Sequence, residues 1–327
     1  MRQAVSVSYP AAPSPRARPD AHVARWIRRT LAEDPPRARS LVITVWGDSL
    51  APHGGEVWLA GLIRLLAPLG INERLTRTSV FRLARDGWLA AETHGRQSRY
   101  RLTPEGRARF EAAYRRIYAP PASDWSGEWE IVIDPPLTAR AAERARLRDE
   151  LRWDGFGTLA SGLYVRPRTD GDAAAEVARV GARARAIVLH AHDVADSGAQ
   201  TLAARVAAVW DLASLARSYR QFLARFGRVI DRFRMRDIEA SDPGQCFVVR
   251  TLLIHAYRRV LLRDPRLPPA VLPLDWPGAA AFALTRDFYR LTEARAEAHL
   301  AALLSVNGST LPPADDAFYD RFGGLPR

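Results

Sequence analysis

The sequence predicts an α+β protein, and three observations support this class. Residues 56–102 pass from a short helical stretch through a glycine turn to an arginine-rich helix and a small hairpin. Residues 129–189 follow the order β-α-β-β-α-β, which is typical of ferredoxin-like domains. The remainder of the chain carries long helical patterns interrupted by proline-rich breaks.

Length and composition indicate a globular protein. A chain of 327 residues with 47% apolar and 26% charged residues is expected to form two or three domains. No apolar run approaches the roughly 18 residues of a membrane span, and the N-terminus lacks the apolar core of a signal peptide. We therefore expect a cytoplasmic protein without membrane contacts. The single cysteine, Cys246, excludes a disulfide framework and is expected to be a small core residue.

The positive charge is concentrated in one part of the chain. The net charge is +12, and residues 1–120 contribute +10 from 20 arginines and 10 acidic residues. The other 207 residues are nearly balanced. A local positive excess favours a polyanionic partner such as nucleic acid.

The first third of the sequence is expected to hold a disordered extension and a DNA-binding domain. Residues 1–36 are rich in Pro, Ala and Arg, which is typical of disorder. The next domain is expected at 37–121, with Trp46, Trp58 and Trp88 in its core. Its expected elements are a helix from near Pro36, a strand at 57–59, helices at 59–67 and 72–86, strands at 88–93 and 98–102, and a helix from Thr103 to Tyr118.

Two further domains are expected. A ferredoxin-like domain should occupy residues 125–196, and a mainly helical domain should occupy 200–327. The elements expected in them are strands at 129–134, 155–159, 162–165 and 184–189, and helices at 138–152, 172–181, 200–228, 245–263 and 278–303.

The helix at 72–86 has the pattern of a recognition helix. At about 100° per residue, its arginines fall on one side and Leu75, Val80, Leu83 and Ala84 on the other. Phe81 falls among the arginines, where it either meets a thymine methyl group or is buried under the hairpin. The alternative is that this charged side is only a solvated surface. The residues expected to contact DNA are Arg74, Arg77, Thr78, Arg82 and Arg85 on the helix and Arg96 and Arg99 near the hairpin tip.

Several strings in this chain resemble the PaaX family of repressors of phenylacetic acid degradation. They are GDSLAPHGGEVWLAGLIRLLAPLGINERLTRTSVFRLARDGWL, YRLTPEGRARF, WSGEWEIVI, GFGTLASGLYVRP and FVVRTLLIHAYRRVLLRDPRLPPAVLPLDWPG, and the resemblance covers roughly residues 38–300. It implies an N-terminal winged helix that binds promoter DNA, a ferredoxin-like domain that helps to form a homodimer, and a C-terminal region that responds to phenylacetyl-CoA.

The resemblance and the lack of enzyme motifs together predict a regulator. The sequence has no phosphate-binding loop, no zinc-protease motif and no nucleophile elbow. We therefore expect a transcriptional repressor of aromatic catabolic genes, without enzymatic activity or a cofactor. It should bind double-stranded operator DNA as a homodimer and leave it when an acyl-CoA effector binds.

The effector hypothesis points to one face of the helix at 245–263. Its aliphatic side chains cluster on one side, and His255, Arg258 and Arg259 lie away from them. A CoA thioester carries phosphates, which cations bind. The alternative is an ordinary salt-bridge face that pairs with Asp264 or Asp275.

Two metal hypotheses are weaker. His190, His192 and Asp193 could hold a divalent ion, but histidines at strand ends are commonly polar rim residues, and we expect no metal. Asp134 ends a strand where ferredoxin-like nucleases carry an acidic residue, so a metal-dependent nuclease is the alternative function. Pro135 and Pro136 follow directly and no second acidic set is evident, so a turn cap is the better interpretation.

Overall fold

Two compact units make up the part of the chain that the computed structural model describes. It describes residues 18–120, 125–135, 141–153, 155–168, 177, 186–192, 209–305 and 310–326. Unit 1 comprises Met1–Ala119, Leu223–Arg258 and Phe282–Arg327, and unit 2 comprises Pro120–Phe222 and Arg259–Ala281. Helices predominate beside two small antiparallel sheets, which confirms the α+β class.

The elements lie close to their expected positions. The helices are α1 Ala21–Glu33, α2 Ala38–Val45, α3 Leu59–Leu66, α4 Glu73–Arg85, α5 Pro104–Tyr118, α6 Ala141–Trp153, α7 Leu212–Arg234, α8 Pro243–Leu261, α9 Gly278–Leu304 and α10 Asp316–Tyr319. The strands are β1 Glu56–Trp58, β2 Leu89–His94, β3 Gln97–Leu102, β4 Glu128–Ile133, β5 Gly157–Ala160, β6 Leu163–Pro167 and β7 Ile187–His192. The helix expected at 172–181 and the start of the one expected at 200 lie outside the described residues, apart from Val177.

Helix α1 contradicts the expectation of disorder within residues 1–36. Asp20 caps its first turn by accepting hydrogen bonds from the backbone N–H groups of His22 and Val23. Trp26 is buried and stacks obliquely on Phe226 at 5.4 Å between ring centroids. The average composition of the segment conceals this amphipathic pattern, and its apolar partner is 200 residues away in the sequence.

Unit 1 holds a three-stranded sheet in the order β1-β3-β2. Strands β2 and β3 form the expected hairpin, with Glu92 opposite Arg99, and β1 pairs with β3 on its other side. Trp46 is fully buried as expected, whereas Trp58 and Trp88 are only partly buried. Helices α3 and α4 supply much of the core beside this sheet.

Unit 2 holds a four-stranded antiparallel sheet in the order β5-β6-β4-β7. One face of the sheet packs against α6 through Val132, Tyr164 and Leu147. At one end of the other face, Trp129 packs against Leu212 and Leu267.

The helical C-terminal third does not form a compact unit by itself. Helices α7, α8 and α9 each contain residues of both units. The separate helical domain expected at 200–327 therefore stays a prediction. No helix in the described ranges is both long and apolar enough to cross a membrane.

Candidate nucleic-acid interface

Helices α3 and α4 are joined by a tight turn that aims the first turn of α4 outward. Gly70 adopts a φ of +80°, a conformation that side chains disfavour, and it ends the turn after Leu69. Asn72 then caps α4, because its side chain accepts a hydrogen bond from the backbone N–H of Leu75 at 2.9 Å. The start of the helix is thereby fixed by the local sequence.

The buried side of α4 anchors the helix in unit 1. Thr76, Ser79, Val80 and Leu83 are buried, and they lie within about 100° of one another around the helix. Thr76 donates its hydroxyl hydrogen to the backbone oxygen of Asn72, which satisfies that buried polar group.

The opposite side of α4 is exposed and carries most of its charge. We call the exposed residues Arg74, Arg77, Thr78, Arg82 and Arg85 the arginine face. In the described part of the chain, Arg74 and Arg82 take part in no ion pair. Arg77 donates to Glu73 at 2.9 Å, and Arg85 lies 3.5 Å from Asp86. Two guanidinium groups therefore have no carboxylate partner among the described residues, and two are held by exposed, weak pairs.

One apolar residue on this side departs from the sequence expectation, and a second decides between two alternatives that the sequence left open. Leu75 was expected on the core side, but 43% of its surface is exposed. Phe81 is 65% exposed, so its burial under the hairpin is excluded. The buried side is filled by Thr76 and Ser79 instead, and small polar residues give no apolar signal in the sequence.

The two candidate arginines of the hairpin lie in different surroundings. Arg96 lies exposed at the tip and has no ion pair among the described residues. Arg99 instead lies between Glu56 at 3.0 Å and Glu92 at 3.2 Å, with its guanidinium 5.8 Å from the Trp58 ring centroid. Hydrogen bonds from Arg101 and Arg99 lower the pKa of Glu92. Arg99 is therefore occupied in holding the sheet together, unlike Arg96.

The three residues suggested for the effector occupy different surroundings. His255 was expected on a presented face, but it is buried and its Nδ1 lies 2.9 Å from the Thr44 hydroxyl. Arg258 is partly buried, and this burial lowers its pKa. Its Nε has no hydrogen-bond partner, and among the described residues Arg258 has no carboxylate partner. Arg259 is exposed. The expected grouping is thus reduced to one partly buried cation, Arg258, which has no carboxylate partner among the described residues.

A buried ionic cluster in unit 1 was not foreseen from the sequence. Asp48 and Arg250 are both fully buried and lie 3.9 Å apart, and Arg250 donates to Glu297 at 2.8 Å. Burial opposes the charge of Glu297, but the Arg250 guanidinium and a hydrogen bond from His53 outweigh it and hold its pKa at about 2. Arg321, also fully buried, donates to the backbone oxygen of Asp48. These residues are scattered over 270 positions, so no local pattern could reveal them.

Of the suggested metal ligands, the structure describes His190 and His192. His190 lies 3.8 Å from Glu128 and 3.7 Å from Glu130, and the latter also pairs with Arg166 at 2.7 Å. Asp193 lies outside the described residues. Asp134 is buried, and its backbone N–H donates to Gly162. No group of three metal-ligating side chains occurs among the residues that were placed. Cys246 is a buried core residue as expected, and burial raises its pKa to about 12.

An exposed helix that follows a tight turn, with a hairpin beside it and arginines on its outer side, defines a candidate nucleic-acid-binding regulator. Comparison with known proteins supports that class. The PaaX-like protein family matches residues 37–106, the PaaX protein central Cas2-like domain matches 122–203, and the PaaX-like protein C-terminal domain matches 210–302. The chain belongs to the PaaX family.

Two relatives illustrate this membership. The transcriptional repressor PaaX of Escherichia coli K12 is 32% identical over 304 residues, which cover 92% of this chain and 94% of the relative. A solved structure of an uncharacterized protein from Mycobacterium tuberculosis is 30% identical, with a TM-score of 0.54, and covers 81% of this chain and 98% of that one. Membership in a family of transcriptional repressors confirms the expectation of a regulator and makes the nuclease alternative wrong.

Proposed function

We propose that this protein is a DNA-binding transcriptional repressor whose residues 37–121 form a winged helix-turn-helix, with α4 as the recognition helix. The order α3, turn, α4, hairpin supports this assignment. The observation that carries the proposal is the arginine face, in which Arg74 and Arg82 are exposed and have no described carboxylate partner.

The chemistry of the arginine face suits a major groove. A guanidinium can donate two parallel hydrogen bonds to guanine O6 and N7 or to a phosphate. The hydroxyl of Thr78 donates back to the Arg74 carbonyl at 2.9 Å, so its oxygen remains available as an acceptor. Arg96 at the hairpin tip would contact the flanking backbone, as exposed wing arginines do. Because Glu56 and Glu92 occupy Arg99, it would contribute less to binding than Arg96.

Operator binding is tested with the double variant Arg74→Ala, Arg82→Ala. Fluorescence anisotropy with a duplex from the DNA upstream of its own gene should show a loss of at least about 30-fold in specific affinity, since two lost base contacts cost about 1–3 kcal/mol each. Arg99→Ala is the matched control on the hairpin and should lose less than Arg96→Ala. Unchanged operator affinity of the double variant would contradict the proposal that α4 is the recognition helix.

The same repressor function requires a signal, and an acyl-CoA such as phenylacetyl-CoA is the proposed effector, with aromatic catabolic genes as targets. The sequence resemblance to the PaaX family implies this effector, and the relative named transcriptional repressor PaaX supports the repressor role alone. The partly buried Arg258 supports an anionic ligand, because a guanidinium withdrawn from water with no carboxylate partner among the described residues is costly until an anion pairs with it. His255 lies one turn away on α8 but is already hydrogen-bonded to Thr44, and Arg259 is an exposed second cation.

The effector is tested by linkage. The affinity for phenylacetyl-CoA should be weaker with saturating operator than without it, by the same factor by which the ligand weakens operator binding. Arg258→Gln should abolish release of the DNA, whereas Arg259→Gln should change it less. Equal ligand affinities with and without operator would contradict this part, and free phenylacetate distinguishes the acyl group from the CoA moiety.

A homodimer assembled through a ferredoxin-like domain is the third part of the proposed function. The strand order β5-β6-β4-β7 agrees with that fold. Strand β7 lies at the edge of the sheet, and its Ile187 and Leu189 are 50% and 45% exposed beside Ile133 and Ile131. An aliphatic edge of this kind is favoured as an interface between two copies.

Sedimentation equilibrium tests the homodimer. Leu189→Arg should convert the wild-type dimer to a monomer, whereas Thr158→Arg on the opposite edge strand should not. A monomeric wild type, or a Leu189→Arg variant that remains fully dimeric, would contradict the proposed interface.

A further inference from the structure

Helix α1 presents a second basic surface in unit 1. Arg25 and Arg28 are exposed on the side opposite the buried Val23 and Trp26, and the exposed His22 and Arg29 flank them; we call these four residues the α1 basic face. Arg29 lies 3.8 Å from the exposed Glu33, a weak pair. Arg25 and Arg28 take part in no ion pair within the described ranges.

Both ends of α1 are anchored, so this surface has a fixed position. At its start, Asp20 exchanges two hydrogen bonds with Gln245, at 2.8 and 2.9 Å, and accepts another from Arg232 at 3.0 Å. At its end, Asp34 pairs with Arg225 at 2.7 Å, and the Trp26 indole donates to the Arg225 backbone oxygen. A surface held in this way loses little conformational entropy when it meets a ligand.

The C-terminal half of α1 lies against the turn that precedes α4. Two methyl carbons of Leu31 lie 3.8 Å from the position that a Cβ on Gly70 would occupy. Gly70 is two residues before Asn72, the cap of α4. Arg28 is one helical turn before Leu31 and neighbours it on the helix surface. The α1 basic face therefore begins beside the N-terminal end of the arginine face.

We infer that the α1 basic face binds the phosphate backbone of the operator duplex, next to the groove that α4 enters. This inference rests on the proposed function. Arg25 and Arg28 would each contact a phosphate outside the bases that the arginine face reads. Such contacts add affinity and fix the orientation of the protein on the duplex, and they carry no sequence information.

The test measures how operator affinity depends on salt for Arg25→Ala, Arg28→Ala. Each phosphate contact contributes about 0.9 to the slope of log affinity against log salt. Loss of two contacts should make the slope shallower by about 1.8. The ratio of wild-type to variant operator affinity should therefore fall about twelve-fold between about 50 and 200 mM salt. The ratio of operator affinity to random-duplex affinity should stay unchanged.

The matched control is Arg217→Ala, Arg263→Ala, which removes the same charge from two exposed arginines of unit 2. This control variant should show the same salt slope as the wild type. In ethylation interference, two flanking phosphates whose ethylation weakens wild-type binding should no longer do so in the α1 variant, and only there. A wild-type slope in the α1 variant, or an equal change in the control, would overturn the inference. The inference about α1 can fail while the proposed function holds. That is the outcome if the wild type binds the operator and the double variant Arg74→Ala, Arg82→Ala loses sequence specificity, but the α1 variant keeps the wild-type slope.

Discussion

At the residue scale, sequence periodicity predicted the charged side of α4 but not how its margins are filled. Arg74, Arg77 and Arg82 are exposed as expected, because 3.6-residue periodicity separates them from Val80 and Leu83. The exposure of Leu75 was not predicted, and for Phe81 the sequence left exposure and burial under the hairpin both open. An isolated apolar residue near the border of a helix face can be either buried or exposed. Which of the two occurs depends on the neighbouring elements that pack against the helix.

The exposed Phe81 leads to a prediction about base contacts. Phe81→Ala should leave the free energy of unfolding within about 0.5 kcal/mol of the wild type, since the ring buries little surface in the protein. It should weaken operator binding, and replacing contacted thymines by deoxyuridine should weaken the wild type but not the variant. Anisotropy titrations on both duplexes measure this.

A core residue of the same helix provides the comparison. Leu83→Ala should cost about 2–5 kcal/mol in urea unfolding because Leu83 is buried. If Phe81→Ala destabilises the protein by a similar amount, or binds both duplexes like the wild type, Phe81 is a packing residue and not a reading residue.

At the scale of elements, the short strands and capped helices were predictable and the N-terminal helix was not. Thr103 before Pro104 predicted the start of α5 correctly, because cap and proline signals are local. Helix α1 depends on contacts with α7 and Gln245, which lie some two hundred residues further along the chain. The start of the helix expected at 200 and the helix expected at 172–181 lie outside the described ranges, apart from Val177.

The anchoring of α1 predicts a pH-dependent stability. Burial disfavours the Asp20 carboxylate, but hydrogen bonds from Val23, His22 and two arginines outweigh burial and lower its pKa from 3.8 to about 2. A lowered pKa means that the stabilisation is complete above about pH 4 and is lost as the pH falls through 2. Asp20→Asn should cost about 1–2 kcal/mol at pH 7, and this difference should shrink towards pH 2.

Urea unfolding of both proteins between pH 7 and pH 2 measures the difference. Glu33→Gln at the other end of α1 is the control and should change stability by no more than about 0.5 kcal/mol at pH 7, because its pair with Arg29 is exposed. A constant difference between wild type and Asp20→Asn over the whole range would contradict this role for the Asp20 charge.

At the scale of the whole molecule, the C-terminal segment of the chain packs into the core of unit 1. Arg321 is buried against Asp48, and its guanidinium lies 4.2 Å from the Tyr118 ring centroid. Phe318 and Phe322 are buried beside it. The contacts span more than 270 positions, and the sequence resemblance had ended before this segment. Family resemblance and local pattern therefore predicted the domain order but not this closure.

The buried position of Arg321 predicts a large loss of stability on its replacement. Arg321→Met should cost about 3–5 kcal/mol, because it removes a fully buried cation that lies 3.4 Å from the Asp48 carboxylate and leaves Arg250, at 3.9 Å, to balance that charge. Arg286→Met, which removes the partly exposed pair of Arg286 with Asp287 on α9, should cost less than about 1 kcal/mol. Urea unfolding compares the two variants, and similar small losses would show that the C-terminal segment adds little to the core.

The central claim is that the arginine face enters the major groove, and methylation interference tests it most directly. Guanine N7 lies in the major groove, so N7-methylation of the guanines that the arginine face contacts should prevent wild-type binding. In Arg82→Ala one of these guanines should lose its effect while the others retain theirs. Absence of interference in the wild type would contradict the account. So would a pattern in all four single variants, Arg74→Ala, Arg77→Ala, Arg82→Ala and Arg85→Ala, that is identical to the wild-type pattern.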